Sequence, residues 1–300
     1  MRPTFHWRLR SGSLTLGRRT LIMGVLNATP DSFSDGGQFL SAEAAVQHGL
    51  QMLAEGADII DVGGESTRPG VRTGIGNNLP AGAVSAAEEI RRVLPVIEGL
   101  KRAAPETVIS VDSYKSEVAQ AALAAGAEIV NDVSALRWDP AMVSLVREAG
   151  CGVVLMHSHG RPDEWNALPG LGEATVACVG RELGDWAATA ERQGVSRSRI
   201  VLDPGFGFGK GFEENYRLLA RFDEFARLGY PLLAGPSRKS FVGRALSRTA
   251  EPVPPSRRLH GTLASVAACI LKGAHIVRVH DVAPARETAA VCDRILEASE

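Results

Sequence analysis

The chain repeats one pattern of residues, and this repetition limits the folds open to it. An alanine-rich stretch with helical periodicity ends in glycine, four to six apolar and mostly β-branched residues follow, and a polar residue closes the unit. The clearest copies lie at residues 56–61, 126–131, 150–157 and 273–280. Weaker copies lie at residues 21–27, 108–112, 199–203 and 231–235. The pattern predicts eight strands that alternate with helices.

Both halves of the repeated unit have a physical reason. A glycine after a helix adopts the left-handed conformation that closes the helix, and a short loop then leads into a strand. A continuous apolar run suits a strand of a parallel sheet that is buried on both faces. Helices are therefore expected at residues 42–55 after an N-cap at Ser41, after a capping box at Ser85 and Glu88, and at residues 116–125, 174–193, 213–228, 257–272 and 284–298.

Eight such units fit either a closed barrel or an open, doubly wound sheet. The first strand is not followed by the GxGxxG turn that would favour a dinucleotide-binding sheet. A chain of 300 residues with 45% hydrophobic content is enough for one barrel core. We therefore predict an α/β fold, a (β/α)8 TIM barrel made as a single domain by residues 1–300. A short β-hairpin within residues 5–18 is expected to close the bottom of the barrel.

Charge and composition narrow the partners and the setting. The 33 basic and 34 acidic residues give a net charge of −1, so there is no broad basic field and nucleic acid is a poor candidate partner. The four cysteines form no CxxC pair, which argues against a zinc cluster and a disulfide framework. The basic N-terminus has no apolar segment behind it, and no apolar run is long enough to span a membrane. We expect a cytoplasmic protein with no membrane partner.

Every predicted strand delivers a polar side chain to its carboxyl end, where barrels of this kind hold their active sites. Any one of these residues is more simply explained as a turn former or a helix cap, but eight positions in phase favour a shared site. The basic residues among them favour an anionic, phosphorylated substrate, because the loops after strands 7 and 8 are the usual phosphate seat of the fold. The rim residues are Asn27, Asp61, Glu65, Arg68, Asp112, Asn131, Asp132, His157, Asp203, Ser237, Arg238, Lys239, Ser240, Arg278 and His280.

Two motifs resemble binding sites but are better explained in other ways. His157 and His159 have the spacing of a metal-binding pair, yet barrel hydrolases carry that pair after the first strand, and this one follows the fifth. Residues 203–210, DPGFGFGK, resemble a phosphate-binding loop but lack the GxxxxGK[ST] pattern. We expect the glycines of this loop to let the backbone approach a flat ligand, with Phe208 packed nearby.

Several long blocks of the sequence resemble the dihydropteroate synthases. They read MGVLNATPDSFSDGG at residues 23–37, DVGGESTRPG at residues 61–70, DPGFGFGK at residues 203–210, SRKS at residues 237–240 and RVHD at residues 278–281. A match of several blocks in the family's order is far more specific than one short motif. The resemblance implies a folate-biosynthesis transferase that makes 7,8-dihydropteroate and pyrophosphate from 6-hydroxymethyl-7,8-dihydropterin pyrophosphate and p-aminobenzoate. It also implies a pterin-binding TIM barrel, Mg2+ as cofactor, a homodimer and a sulfonamide target.

The resemblance assigns a role to each matching residue. The pyrophosphate-binding residues are Asn27, Thr67, Arg68, Arg278 and His280, and Asn27 also holds Mg2+. The pterin-binding residues are Asp112, Asn131, Asp203 and Lys239, and the p-aminobenzoate pocket is formed by Phe33, Pro69, Phe208 and Ser240. The catalytic residues are Asp112, Arg68, Lys239 and Arg278. The implied reaction is Mg2+-assisted loss of pyrophosphate, followed by attack of the amine.

Two alternatives stay open beside this reading. A non-catalytic, pterin-binding paralogue would be favoured by loss of Asn27, Arg68, Lys239 or Arg278, and all four are present. A methyltetrahydrofolate–corrinoid methyltransferase-like barrel would need no pyrophosphate-binding set. The chain departs from the family at Ser113, where a threonine is usual, and at residues 71–81, which are extra. Most such insertions are tolerated surface loops, but this one adjoins a loop expected to close over substrate.

Overall fold

The computed structural model describes residues 2–28, 38–66, 70–76, 79–249 and 251–299. Within them the chain forms ten strands and nine α-helices. The strands are β1 (Phe5–Arg8), β2 (Ser13–Leu16), β3 (Leu21–Asn27), β4 (Ile59–Gly63), β5 (Val108–Asp112), β6 (Ile129–Asp132), β7 (Gly152–Met156), β8 (Ile200–Asp203), β9 (Leu233–Ala234) and β10 (Ile276–Val279). The helices are α1 (Gln38–Ala54), α2 (Ala86–Ala103), α3 (Ser116–Ala124), α4 (Met142–Ala149), α5 (Thr175–Arg192), α6 (Phe212–Ala220), α7 (Ser240–Ala245), α8 (Leu259–Leu271) and α9 (Val282–Ala298).

The strands β3 to β10 form one parallel sheet that curls into a nearly closed barrel. Its strand order is β8-β7-β6-β5-β4-β3-β10-β9, and at least one helix follows each strand. A parallel bridge between Leu202 and Leu232, and a 2.9 Å hydrogen bond from Leu202 N to Pro231 O, bring the two edges together. The predicted TIM barrel is confirmed. The seventh barrel strand, β9, is shorter than the predicted residues 231–235.

The helices lie between the strands as predicted, with differences at their ends. The Ser85 hydroxyl oxygen accepts a 3.1 Å hydrogen bond from Glu88 N and caps α2 as expected. The N-cap prediction at Ser41 is wrong, because α1 already begins at Gln38. The helix predicted over residues 213–228 is α6 followed by a 3-10 helix at Phe222–Leu228, whose three-residue period buries both Phe222 and Phe225. No helix among the described residues is long and apolar enough to cross a membrane.

An antiparallel hairpin of β1 and β2 closes the amino-terminal end of the barrel, as predicted. Trp7, Leu9 and Leu16 are buried against the lower layer of the barrel interior. Gly152 leaves room for this contact, since a Cβ there would lie 2.7 Å from Leu9 and 3.1 Å from Trp7. The Trp7 indole Nε1 also donates a 2.7 Å hydrogen bond to Arg199 O. The lower-layer residues are Leu21, Met23, Ile59, Ile129, Val154, Val201, Leu233 and Ile276.

We expect Trp7→Ala to lower the free energy of unfolding by about 3–5 kcal/mol, because it opens a cavity under the barrel and removes the hydrogen bond to Arg199. Urea denaturation followed by circular dichroism measures the change. The matched control is His6→Ala, since His6 neighbours Trp7 but is exposed on the other face of β1. Equal destabilisation by the two substitutions would show that the hairpin does not seal the core.

Candidate active site

The parallel register brings the predicted polar residues to one end of the barrel. Asn27 pairs with Gly63, Gly63 pairs with Asp112, and Asp112 pairs with Asn131. On the far side of the barrel, Asp203 ends β8. Because these are the carboxyl ends of neighbouring parallel strands, their side chains surround one opening.

Arg278 on β10 is the centre of a charged network inside this opening. Its Nε donates a 2.6 Å hydrogen bond to Asp61 Oδ2, and a terminal nitrogen donates a 2.6 Å hydrogen bond to Asp112 Oδ2. Asp61 Oδ2 also accepts a 3.0 Å hydrogen bond from Asn131 Nδ2. The planar guanidinium presents donors in a fork, so one side chain holds two carboxylates in fixed positions. The network ties β10 to β4, β5 and β6.

Asp61 is a residue whose role the sequence did not reveal. It lies on the predicted rim, but the family resemblance assigns it no contact with substrate. Its side chain is fully buried, and it orients both Arg278 and Asn131. Its second oxygen, Oδ1, is buried without a hydrogen-bond partner among the described residues.

Burial shifts the pKa values of the charged groups in the opening. It raises the pKa of Asp112 to about 7, although the Arg278 guanidinium opposes this shift. It raises the pKa of Asp203 to about 6, opposed by a 2.7 Å hydrogen bond from Gly205 N. It lowers the pKa of Lys239 to about 8, and repulsion by Arg278 acts in the same direction. Burial also opposes the charged form of Arg278, but Asp61 and Asp112 outweigh it and raise the pKa of Arg278.

Lys239 and Phe208 come from different loops and meet at the opening. The Lys239 ammonium lies 4.1 Å from the centre of the Phe208 ring. The preceding residue, Arg238, has a positive φ of 56°, which is costly for a residue with a side chain. Two contacts hold it there: Arg238 N donates to Thr262 Oγ1 at 3.0 Å, and Arg258 donates to Arg238 O at 2.7 Å. The strained residue thus sets the direction in which Lys239 enters the site.

His280 is held as a neutral side chain. Burial lowers the pKa of its imidazole to about 3, and the neighbouring Arg278 adds to this effect. Ser237 Oγ accepts a 3.2 Å hydrogen bond from His280 N and lies 3.0 Å from His280 Nδ1. With the Ser237 hydroxyl donating to Nδ1, the imidazole proton resides on Nε2, where it serves as a donor to a ligand.

The glycines of the loop at residues 203–210 are required where this loop packs against the loop after β7. That they also let the backbone approach a flat ligand stays a prediction. Gly205, Gly207 and Gly209 all have positive φ. A Cβ would lie 2.0 Å from His157 O at Gly205 and 2.3 Å from His159 O at Gly209. The close approach is therefore to the neighbouring loop.

Lys210 holds the same loop from inside. Its buried ammonium donates hydrogen bonds of 3.1, 2.8 and 3.1 Å to the carbonyl oxygens of His157, Gly205 and Phe208. The sequence marked Lys210 only as the end of a glycine-rich motif. In the structure it is a positioning residue for Phe208.

His157 and His159 do not form a pair. His157 Nε2 lies 3.1 Å from Glu182 Oε2, and His159 Nε2 lies 3.1 Å from Pro169 O. No group of three or more histidine, cysteine, aspartate or glutamate side chains within the described ranges is arranged to hold a metal ion.

The remaining predicted residues divide into two groups. Asn27 is exposed at the end of β3, and Ser240 is exposed at the first position of α7, beside Lys239. Phe33, Thr67, Arg68 and Pro69 lie outside the described residues. Glu65 lies two residues before Thr67. Its carboxylate is held by a 2.9 Å ion pair with Lys115, which also forms a 2.7 Å ion pair with Glu89.

Comparisons with known proteins show the family to which the chain is similar. The pterin binding enzyme family matches residues 23–280. The dihydropteroate synthase of Escherichia coli strain K12 is 43% identical over 279 residues, which cover 93% of each chain. A Xanthomonas albilineans dihydropteroate synthase with 4-aminobenzoic acid has a TM-score of 0.85 at 40% identity, covering 98% of this chain and 99% of that one. The Yersinia pestis dihydropteroate synthase with a sulfonamide drug complex has a TM-score of 0.85 at 37% identity, covering 98% of this chain and 100% of that one.

We expect Arg278→Met to lower the free energy of unfolding by about 3–5 kcal/mol at pH 8, because the buried carboxylate of Asp61 and the half-buried carboxylate of Asp112 lose their guanidinium partner. The loss should shrink as the pH falls towards 5. The folded-state pKa of Asp112 is about 7, above its unfolded value, so Asp112 takes up a proton in the folded state as the pH falls. A protonated Asp112 has no charge for Arg278 to compensate, so removing Arg278 then costs less. Urea denaturation at several pH values measures both effects.

The control for this experiment is Arg286→Met. Arg286 is partly exposed and lies 3.8 Å from Asp58, so its loss should cost less than about 1 kcal/mol at any pH. A pH-independent loss of the same size in both variants would contradict the role given to Arg278.

Proposed function

The chain belongs to the pterin-binding enzymes and, within them, to the dihydropteroate synthases, and we propose that the residues around Arg278 carry out its reaction. It is a transferase of folate biosynthesis. It condenses 6-hydroxymethyl-7,8-dihydropterin pyrophosphate with p-aminobenzoate to give 7,8-dihydropteroate and pyrophosphate. The observation that carries the proposal is the meeting of Asp112, Asn131 and Arg278 in one hydrogen-bonded network, with Asp203 and Lys239 at the same end of the barrel. Neither the non-catalytic paralogue nor the methyltransferase gains support from the relatives.

The pterin ring is the ligand of Asp203, Asn131, Asp112 and Lys239. A pterin edge offers an amino group and a ring N–H, which a carboxylate accepts as a pair. Asp203 Oδ1 already accepts from Gly205 N, so the conformation of this carboxylate is set before substrate arrives. With a pKa of about 6, Asp203 is ionised at neutral pH. Lys239 then supplies a donor to the acceptor atoms of the ring.

The pyrophosphate is the ligand of Arg278, His280 and Asn27, with Thr67 and Arg68. The guanidinium of Arg278 has five N–H donors, and two of them are used by Asp61 and Asp112. Three donors are left for phosphate oxygens. The neutral His280 donates a hydrogen bond from Nε2. The pyrophosphate-binding residues therefore combine charged guanidinium groups with a neutral hydrogen-bond donor.

Mg2+ fits this site as an ion held mainly by the substrate. Mg2+ binds oxygen ligands, keeps several waters, and is often fixed by one or two protein oxygens together with substrate phosphates. Asn27 is exposed at the carboxyl end of β3, and its amide oxygen is a ligand of the type that Mg2+ prefers. When bound, Mg2+ would neutralise charge on the departing pyrophosphate.

Catalysis follows from the placement of charge. The C–O bond between the pterin methylene and pyrophosphate breaks, its electron pair leaves with pyrophosphate, and the p-aminobenzoate nitrogen forms the new C–N bond and then loses a proton. Asp112 stabilises the positive charge that develops on the methylene, and Arg278 stabilises the anion. Phe208 and Ser240, with Phe33 and Pro69, form the pocket for p-aminobenzoate. Because the carboxylates are held by Arg278 in advance, little reorganisation is needed during the reaction.

We also propose that the protein acts as a cytoplasmic homodimer. Family membership supports this assembly, and so does the surface of α9, where Val291 and Ile295 are exposed apolar side chains. Light scattering on the purified protein measures the mass and tests the dimer.

The direct test of the activity is to supply both substrates and Mg2+ to the purified protein. We expect one pyrophosphate released per dihydropteroate formed, and loss of both products when EDTA removes the metal. Release of pyrophosphate without dihydropteroate would contradict the condensation. Full activity in EDTA would contradict the role given to Mg2+.

We expect Asp112→Asn to lower kcat by about 100- to 1,000-fold with little change in substrate binding, because a neutral amide does not stabilise a cation. The wild-type rate should fall as the pH drops below about 7, since Asp112 takes up a proton there, and in the variant this fall should begin only near pH 6, where Asp203 takes up a proton. Steady-state kinetics between pH 5 and 8 measure both.

The control for Asp112→Asn is Asp132→Asn. Asp132 also has a pKa raised by burial, to about 6, but its carboxylate accepts hydrogen bonds from Ser134 N and Leu136 N in a turn. Its variant should keep the acidic limb and lose only a few-fold in kcat. An unchanged kcat in Asp112→Asn would rule out the cation-stabilising role.

A further inference from the structure

The first part of the insertion, described over residues 71–76, packs onto the barrel instead of lying free on its surface. Thr73 and Gly74 are buried. Gly74 N donates a 3.2 Å hydrogen bond to the Tyr114 hydroxyl, and that hydroxyl lies 3.4 Å from Gly74 O, which accepts from it. Tyr114 is two residues beyond Asp112, so this contact ties the inserted segment to the active-site end of β5.

A second loop holds the same segment from another side. Gly70 N donates a 3.0 Å hydrogen bond to Pro162 O. The Arg161 guanidinium donates a 3.2 Å hydrogen bond to Thr73 Oγ1 and lies 4.7 Å from the centre of the Trp138 ring. Residues 70–76, which we call the wall segment, are therefore fixed by the loop after β5 and by the loop after β7.

The wall segment presents an apolar side chain to the site. Ile75 packs on a cluster whose buried members are Tyr114, Val133, Met156 and Phe208. Val133 follows Asn131 by two residues, and Met156 is the register partner of Asp203. Phe208 contacts Lys239. The cluster thus lies beside the residues to which the pterin ring is assigned.

We propose that the wall segment is a fixed side of the pterin pocket, and that Tyr114 and Arg161 are positioning residues that hold it there. The inference rests on the proposed function, because the pocket is the one assigned to the pterin. A flat ring is bound by polar groups at its edge and apolar groups at its faces, and Ile75 adds an apolar group. A fixed wall also keeps water from Asn131 and Asp203, which strengthens their hydrogen bonds to the ligand.

The first test is Tyr114→Phe, which removes both contacts with Gly74 but keeps the ring that packs edge-on against Trp138 at 5.1 Å. The KM for dihydropterin pyrophosphate should rise about 3- to 10-fold, as expected for loss of a positioning hydrogen bond. The kcat should stay near wild type, and the KM for p-aminobenzoate should rise less than that for dihydropterin pyrophosphate, because the two pockets share only Phe208 of this cluster. Arg161→Met should act in the same direction.

The matched control is Tyr230→Phe. Tyr230 is also buried, but it precedes β9 and so lies at the opposite end of the barrel. Its variant should leave both KM values unchanged. An equal rise in the KM for dihydropterin pyrophosphate in Tyr230→Phe and Tyr114→Phe would reduce the effect to general destabilisation and overturn the proposal.

A second readout does not depend on turnover. Arg72 is exposed within the wall segment and is a trypsin site, whereas the Arg161–Pro162 bond resists trypsin. Cleavage after Arg72 should be faster in Tyr114→Phe than in wild type, as measured by mass spectrometry. Binding of 6-hydroxymethylpterin, which lacks pyrophosphate, should weaken by the same factor as the KM rises.

Two outcomes would overturn the proposal that the wall segment is a side of the pterin pocket. One is an unchanged KM for dihydropterin pyrophosphate in both Tyr114→Phe and Arg161→Met. The other is a rise in the KM for dihydropterin pyrophosphate while the affinity for 6-hydroxymethylpterin stays constant. The substitution would then weaken binding of the pyrophosphate group and not of the pterin ring. Failure of the proposed function would look different: wild-type protein would make no dihydropteroate, while the cleavage and pterin-binding measurements would still report on the wall.

Discussion

The contacts of Arg278 with Asp61 and Asp112 determine how the active-site end of the barrel is built. Two carboxylates withdrawn from water are costly unless a counter-charge and hydrogen bonds compensate them. Arg278 provides both. Asp61 also accepts a hydrogen bond from Asn131, so the position of the Asn131 side chain is fixed as well. Groups that must bind a pterin edge, a developing cation and a leaving anion are therefore oriented before any ligand arrives.

The two ends of the barrel divide stability and function between them. The amino-terminal end is closed by Trp7, Leu9 and Leu16 on an apolar layer, and it holds none of the residues assigned to substrates. The carboxyl end is lined by charged groups whose pKa values are shifted by burial. Apolar packing at the amino-terminal end stabilises the fold and offsets the cost of burying charged groups at the carboxyl end.

Local patterns predicted most of the fold. Glycines that close helices and continuous apolar runs identify the eight barrel strands. Both signals lie within a few consecutive residues, so they can be recognised in the sequence alone. The parallel register brings Asn27, Asp112, Asn131 and Asp203 to the same end of the barrel, as the strand pattern predicts. The N-cap prediction at Ser41 is wrong because a serine is also tolerated inside a helix, and α1 starts at Gln38, four residues before the predicted start. The glycines at 205, 207 and 209 indicate a close approach of the backbone, but the sequence does not show that the nearest protein atoms are carbonyls and side chains of other loops.

The parts that sequence did not reveal depend on contacts between distant residues. Arg278 is 217 positions from Asp61 and 166 from Asp112, so no motif contains their pairing. The packing of Thr73 and Ile75 on Tyr114 and Arg161 was also hidden, because an insertion has no family pattern to interpret.

A double-mutant cycle of Asp61→Asn and Arg278→Met, measured by kcat/KM for dihydropterin pyrophosphate, tests the central claim most directly. If Asp61 acts by holding Arg278, the double variant should be little worse than Arg278→Met alone, with a coupling energy of about 1–3 kcal/mol. Independent effects that add in the double variant would contradict the account, because Asp61 would then act on the reaction by some other route.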